Sequence, residues 1–174
     1  MSLRLSLALE PGGCVMPPEG RIAVFAPRAG VDLTALPKDR VLILQRLRPD
    51  FEAYEAAGFT CLPEVADLPA PERFAAAVVF LPRAKAEARQ LVAQAAAVTT
   101  GPVLVDGAKT DGIDSVLKAL RKLTETSAPV SKAHGKIFWF QGGNNALSDW
   151  IAADGIPVDG FVTAPGVFSA DGID

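Results

Sequence analysis

The sequence predicts an α/β fold: a doubly wound, mostly parallel sheet of seven strands that ends in an antiparallel hairpin. Short apolar runs such as Ile22–Ala26 are closed by proline or glycine, which is typical of strands buried on both faces. Helical patterns follow several of these runs, as parallel crossovers require. The last two runs flank a tight turn at Gly135, which favours an antiparallel pair.

Seven segments have the composition of strands. They are residues 22–26, 41–45, 59–62, 77–81, 103–106, 129–134 and 136–141. The first five alternate with helical or irregular connections, and the last two are consecutive. A parallel sheet finished by a hairpin is the arrangement of class I S-adenosylmethionine methyltransferases, so the predicted topology is that of a Rossmann-like methyltransferase fold.

Four helices are expected between these strands. The first, at 31–36, is short because Pro37 follows it. The second covers 51–57, with Asp50 as its N-cap and Gly58 just beyond its end. Two longer helices are predicted at 84–98 and 111–123. The last of them places its apolar residues on one face, namely Ile113, Val116, Leu117 and Leu120.

The chain of 174 residues divides into three parts. Residues 1–20 are rich in proline and glycine and are expected to form an N-terminal arm. Residues 21–143 contain all the predicted strands and form one domain of ordinary size. Residues 144–174 are expected to be a linker and a segment that leads into a second domain beyond Asp174.

Composition narrows the class of protein. Hydrophobic residues make up 49% of the chain, yet the longest apolar stretches, such as Ala75–Leu81, are too short to span a membrane. We therefore expect a cytoplasmic globular protein without a membrane partner. Cys14 and Cys61 lie too far apart for a zinc motif, so free thiols and no metal site are expected. The single histidine, His134, lacks a neighbour that would orient it as a base.

The net charge of −3 argues against a domain that binds nucleic acid over its whole surface. Basic residues nevertheless cluster in two regions, after the first two strands and late in the chain. The candidate RNA contacts are Arg28, Arg46, Arg48, Lys118, Arg121 and Lys122. The alternative interpretation is that these side chains form an ordinary solvated face.

Ligands of such folds bind at the carboxyl ends of the strands, where three expected features are missing. The loop Ala26–Gly30 lacks repeated glycines, and Gln45 stands where a cofactor ribose calls for an acidic residue. The run Phe80–Arg83 lacks the asparagine of the Asn-Pro-Pro-Phe motif of amino-methyltransferases. We therefore expect no catalytic and no cofactor-binding residue in this domain. Gly142 and Gly143 are interpreted as a turn or linker rather than an anion-binding nest.

Three stretches together resemble a known family. They are Phe80–Ala88, Val105–Ser115 and the closing segment from Val158 to Asp174. The chain resembles the N-terminal half of the 16S rRNA guanine-N2 methyltransferases of the methyltransferase-small family, in which two methyltransferase-like domains lie in tandem.

The resemblance implies that the full-length protein transfers a methyl group from S-adenosylmethionine to N2 of a guanine in rRNA, using catalytic residues of its C-terminal half. It implies a degenerate, non-catalytic domain here that supports that half and helps to dock 16S rRNA or the small ribosomal subunit. It also implies that Phe168, Ser169 and Asp171 border the cofactor or guanine pocket of the second domain. The alternatives are a self-sufficient small methyltransferase and a purely structural interaction module.

Overall fold

The structure, a computed structural model, describes residues 3–63, 67–68, 73–143, 146–147 and 150. Its centre is one sheet of seven strands. In chain order these are β1 (Ile22–Phe25), β2 (Val41–Leu44), β3 (Thr60–Leu62), β4 (Ala76–Phe80), β5 (Pro102–Ala108), β6 (Val130–Lys132) and β7 (Gly135–Gln141). Their spatial order is β3-β2-β1-β4-β5-β7-β6.

The first five strands are parallel, whereas β7 runs antiparallel to both β5 and β6. The predicted fold class is therefore confirmed. Ala133 and His134 form the turn between β6 and β7, and both have positive φ angles, of 52° and 61°. Two such residues are what a two-residue hairpin of the favoured twist requires. His134 is thus an exposed turn residue.

The helices pack on the two faces of the sheet. They are α1 (Leu3–Ala8), α2 (Arg48–Ala56), α3 (Lys85–Val98) and α4 (Ile113–Arg121). Buried residues of α3 and α4 belong to one core cluster, and those of α1 and α2 to the other. The predicted apolar face of α4, from Ile113 to Leu120, is confirmed as fully buried. Within the described residues, every helix is too short or too polar to cross a membrane.

Alternate residues of the central strands supply these two cores. On β1, Ala23 and Phe25 pack towards α3 and α4, whereas Ile22 and Val24 pack towards α1 and α2. All four side chains are buried. Strands covered on both faces have this continuous apolar pattern, which is why the sequence identifies them well.

Two helix predictions need correction. The helix expected at 31–36 is absent, and that segment forms turns, because the Asp32 carboxylate accepts hydrogen bonds from the Thr34 amide and hydroxyl, at 2.9 and 2.6 Å. Such local bonds compete with helix formation. Conversely, α1 forms within the predicted arm and buries Leu5 and Ala8 against the sheet.

The start of α2 also differs from the prediction. The helix begins at Arg48 with Pro49 in its first turn, so Asp50 lies inside the helix and is not the N-cap. Proline suits this position because the first amides of a helix have no partner within it. The end is as predicted: Gly58 follows the helix with a φ of +93°, a conformation that glycine adopts without strain.

Candidate functional site

A cleft of about 740 Å³ lies at the carboxyl ends of the parallel strands. The chain continues from β1 to β2 and β3 on one side, then crosses to β4 and β5 on the other. This reversal of strand order opens a crevice between the loops, and α/β proteins bind ligands at such a point. The cleft is formed by the ends of β1, β2, β4 and β5 together with one side of α3.

The loop after β1 is held by the protein's own groups. Ala26 has a positive φ of 58° and donates its amide to the Leu44 carbonyl at 2.8 Å. The Asp50 carboxylate accepts from the Ala29 amide at 2.8 Å and from Arg28 Nε at 3.0 Å. Asp50 itself is only 7% exposed. This carboxylate therefore fixes the loop instead of capping α2.

Gln45 follows β2 and joins two loops of the cleft. Its Nε2 donates to the Pro27 carbonyl at 2.7 Å, and its Oε1 accepts from the Leu47 amide at 2.9 Å. The side chain is 3% exposed. A buried amide with both ends bonded to backbone is a structural bridge. The position where a cofactor ribose would need an acceptor is thus used for holding the protein together.

The ends of β4 and β5 are joined through Asp106. Its carbonyl accepts from the Leu81 amide at 2.9 Å, and its carboxylate binds Arg4 of α1 at 2.6 Å and 3.2 Å. Arg4 also donates to the carbonyls of Lys132 and Ala133 in the hairpin. One guanidinium therefore ties α1, β5 and the β6–β7 turn together.

Burial raises the pKa of the Asp106 carboxyl above its ordinary value, and the hydrogen bond and charge of Arg4 oppose that rise. The shift shows that loss of hydration outweighs the attraction of the guanidinium. Removing one partner of a buried ion pair leaves an uncompensated charge in the interior, which destabilises the folded protein.

The α3 side of the cleft carries polar groups that the fold leaves unused. Glu87 is half-buried, and it forms no hydrogen bond or ion pair with the residues that the structure describes. Burial raises the pKa of Glu87, and the nearby positive charge of Arg46 opposes the rise. Gln90, one turn later, has a buried Oε1 without a hydrogen-bond donor. Leu91 and Gln94 complete this wall.

The six predicted RNA contacts fall into two separate groups. Arg28 and Arg46 are exposed and line the cleft at the carboxyl edge of the sheet, and Arg48 is exposed at the start of α2, two residues after Arg46. The other three, Lys118, Arg121 and Lys122, are exposed on and just after the last turn of α4. Because α4 runs back along the sheet from the end of β5, its last turn lies towards the opposite edge. The structure does not bring the two groups together.

The remaining predictions concern the closing segment, metal binding and the two glycines after β7. Phe168, Ser169 and Asp171 lie outside the described residues, as does most of the proposed linker. Within the described parts of the chain, no three metal-ligating side chains gather in one place. Gly142 and Gly143 donate their amides to the Gly101 and Ala96 carbonyls at 2.9 and 2.8 Å, so both amides are used to attach the segment after β7 to distant backbone.

Sequence reasoning missed three residues of the site: Arg4, Glu87 and Gln90. Arg4 meets Asp106 across 102 residues, and no local pattern signals such a contact. Glu87 and Gln90 could have been predicted from the sequence, because residues three apart share one face of a helix. Their polar side chains follow the end of β4, which is where a ligand site is expected.

Comparison with known proteins identifies the family. The family model described as methyltransferase small domain N-terminal matches residues 44–152, which is more than half of the chain. The chain belongs to the methyltransferase small N-terminal domain family. No curated protein sequence matches this domain.

Two of the solved structures similar to this chain are the following methyltransferases. The 16S rRNA N2 methyltransferase RsmC of T. thermophilus, solved with AdoMet and guanosine, has a TM-score of 0.61 and 21% identity over 75% of this chain. A ribosomal protein L11 methylase of Lactobacillus delbrueckii subsp. bulgaricus has a TM-score of 0.56 and 14% identity over 75% of this chain and 73% of its own. The chain spans only 37% of the T. thermophilus enzyme.

S-adenosylmethionine, the cofactor that this fold implies, does not fit the residues present in the cleft of this N-terminal domain. Gln45 offers no carboxylate, and both ends of its amide are engaged with backbone. The first loop presents Ala26, the buried Pro27 and Arg28 where glycines would allow a cofactor to approach the backbone. No reaction step can be derived through the cofactor at this edge.

Proposed function

We propose that this chain is the N-terminal, non-catalytic domain of a cytoplasmic S-adenosylmethionine-dependent rRNA guanine-N2 methyltransferase. In this proposal the domain supports a C-terminal catalytic domain and docks 16S rRNA or the small ribosomal subunit. Membership of the N-terminal domain family supports it, as does the likeness of the fold to one part of the T. thermophilus enzyme.

The bridge formed by Gln45 is the observation that carries this proposal. A working cofactor pocket keeps an acceptor free at the end of its second strand for the ribose hydroxyls. Here the corresponding side chain is buried and bonded at both ends. Catalysis at this edge would require breaking a contact between two loops, so we assign the methyl transfer to the other domain.

Methyl transfer from tritiated S-adenosylmethionine to 16S rRNA tests whether catalysis belongs to the C-terminal domain alone. We expect the full-length enzyme to label the rRNA and the 174-residue chain to give background counts only. Labelling by the chain alone, abolished by heat unfolding, would instead establish the alternative of a self-sufficient small methyltransferase.

The arginines beside the cleft support the docking role. Arg28, Arg46 and Arg48 extend into solvent at the edge where family folds bind their ligands. Arg28 and Arg48 also pair with Asp50 and Glu52, at 3.0 and 3.1 Å, but their side chains remain 72% and 84% exposed. The Arg48–Glu52 pair is exposed on both sides and therefore weak, and Arg28 binds Asp50 through Nε alone, so a phosphate can contact both guanidinium groups.

Binding of 16S rRNA fragments over a range of salt concentrations tests the docking. Replacing Arg46 and Arg48 by Gln is expected to weaken binding and to reduce the salt slope by about 1.4, at ~0.7 for each lost contact with single-stranded RNA. Arg21→Gln with Arg73→Gln removes the same charge from exposed positions just before β1 and β4, at the opposite edge of the sheet, and is the matched control. Binding that is undetectable for the unaltered chain would favour the purely structural module.

A further inference from the structure

Two acceptors on the α3 wall of the cleft have no donor among the residues that the structure describes. Glu87 offers two carboxylate oxygens, and Gln90 offers a buried Oε1 that has no donor. The two residues are three apart on α3, so their side chains lie side by side, with Cβ atoms roughly 5–6 Å from each other. A buried acceptor without a donor is costly. A donor of a ligand satisfies it when the Gln90 side chain turns its Oε1 into the cleft.

The rim of the same cleft is cationic. Arg28, Arg46 and Arg83 line it. Arg83 is 86% exposed and lies 3.9 Å from Asp111, too far for a hydrogen bond. Arginine at the mouth of a cleft is the side chain that recognises phosphate. The charge pattern therefore suits a ligand with an anionic backbone outside and hydrogen-bond donors inside.

The cleft also has apolar walls and a suitable size. Leu47, Leu81 and Leu91 line the cleft, and Leu47 is 50% exposed. Its volume of about 740 Å³ falls in the range of small-molecule sites. A flat base can lie against such walls while its edge reaches α3.

Among the RNA bases, guanine matches these acceptors best. Its Watson–Crick edge presents the N1–H and N2–H donors side by side, which a single carboxylate accepts together. Adenine and cytosine each present one amino group beside a ring acceptor, and uracil presents one N–H between two acceptors. A carboxylate repels the acceptors of those three bases.

We propose that the cleft binds an unpaired guanine nucleotide of RNA, with Glu87 accepting from N1–H and N2–H and the arginine rim holding the phosphates. Gln90 accepts a further donor from the base or the ribose. This inference rests on the proposed docking of rRNA and specifies the site that performs it. Sequence-specific proteins read RNA in this way, through splayed single-stranded bases.

Fluorescence anisotropy of labelled RNA pentamers tests the site with the 174-residue chain. We expect UUGUU to bind at least tenfold more tightly than UUUUU. Glu87→Gln replaces one acceptor oxygen by an amide donor, and it should lower the affinity for UUGUU about tenfold while sparing UUUUU. Glu125→Gln removes an equal charge from an exposed position after α4 and should change neither affinity.

A second pair of variants separates charge from base recognition. Arg46→Gln should weaken UUGUU and UUUUU by the same factor, because a phosphate contact is indifferent to the base. Arg73→Gln is its matched control, because Arg73 is exposed just before β4, at the opposite edge of the sheet, and it should leave both affinities unchanged.

Each outcome bears on a distinct claim. Equal binding of the two pentamers, unaffected by Glu87→Gln, would overturn the guanine site, and salt-dependent binding of 16S rRNA fragments would still support docking. Failure of both RNAs and of the fragments would remove the docking role itself. Displacement of UUGUU by stoichiometric S-adenosylmethionine would make the cleft a cofactor pocket and overturn the inference.

Discussion

Gln45 Nε2 lies 2.7 Å from the Pro27 carbonyl oxygen and connects the loop after β1 to the loop after β2. The same amide accepts from Leu47, so the Gln45 side chain is fixed at both ends and holds the two loops together. This contact uses the position that gives a methyltransferase fold its ribose acceptor. The remaining open part of the cleft faces α3, where the acceptors of Glu87 and Gln90 lie.

Replacing Gln45 tests how far the bridge supports the fold. Gln45→Met keeps the volume but leaves the Leu47 amide without its partner, so we expect a loss of about 2 kcal/mol in the free energy of unfolding. Gln45→Glu should cost more, because a buried carboxylate would face the Pro27 carbonyl. Urea unfolding of both variants measures these values. Equal stability of all three proteins would contradict the bridge.

Removing Arg4 should expose the cost of burying Asp106. We expect Arg4→Met to destabilise the protein by about 3 kcal/mol at pH 7, because an unpaired carboxylate remains buried. Since the pKa of Asp106 is raised in the folded state, the folded protein keeps this proton to higher pH than the unfolded chain does. Stability from this group therefore falls as the pH rises above its ordinary value of 3.8.

Without Arg4 the pKa of Asp106 rises further, because the two effects of the guanidinium that lower it are lost. The deficit of Arg4→Met relative to the unaltered protein should therefore be larger at pH 7 than near pH 4.5, as measured by urea unfolding. Adding Asp106→Asn to Arg4→Met should remove this pH dependence. A deficit that is constant with pH in the single variant would contradict the assignment.

Asp50 is expected to stabilise the loop after β1. Asp50→Ala removes the acceptor of the Ala29 amide and should cost about 1–3 kcal/mol. Asp50→Asn keeps a side-chain oxygen for that amide and should cost less. Arg28→Ala is the control for the ion pair, and it should change stability by less than about 1 kcal/mol because Arg28 is exposed. If Arg28→Ala were as damaging as Asp50→Ala, the ion pair would be the main contact.

Both cysteines should be unreactive in the folded protein. Burial raises the pKa of the Cys14 and Cys61 thiols to about 11 each, from 9.0. At pH 8 the thiolate fraction falls about 100-fold as a result, and iodoacetamide reacts with the thiolate. We expect slow alkylation of the native chain and rapid alkylation in urea, measured by mass spectrometry. Fast labelling of the native chain would show that burial does not protect these thiols.

The sheet was the most predictable part of this fold. Strands β1, β2 and β4 are buried on both faces, so each is a continuous apolar run that identifies it in the sequence. The hairpin was predictable from its two flanking runs, but the turn lies at Ala133 and His134, and Gly135, where the sequence predicted it, belongs to β7. Helix α4 was also predictable, because Ile113, Val116, Leu117 and Leu120 repeat at helical spacing and are all buried.

The errors arose where polar side chains decide local structure. The Asp32 carboxylate bonds to Thr34 and prevents a helix that hydrophobic spacing favours at 31–36. Asp50 resembles an N-cap by its position, yet it serves a loop 21 residues earlier in the chain. Helix α1 is stable because Leu5 and Ala8 bury against a distant sheet, and six residues carry too little periodicity to predict that.

For the candidate site, the sequence predicted only which cofactor-binding residues are missing. The sequence alone shows that the first loop lacks repeated glycines and that no aspartate or glutamate directly follows β2. What Gln45 does instead depends on its distance from Pro27, 18 residues away, and that distance is set by the packing of β1 against β2. Contacts of this kind follow from the register of the sheet rather than from any local pattern.

Calorimetric titration of the 174-residue chain with S-adenosylmethionine tests the central claim most directly. With the ribose position used by Gln45, we predict no saturable heat at millimolar cofactor, whereas the proposed full-length enzyme should bind one equivalent. Tight, stoichiometric binding by the chain alone would contradict the account and place the cofactor in this cleft.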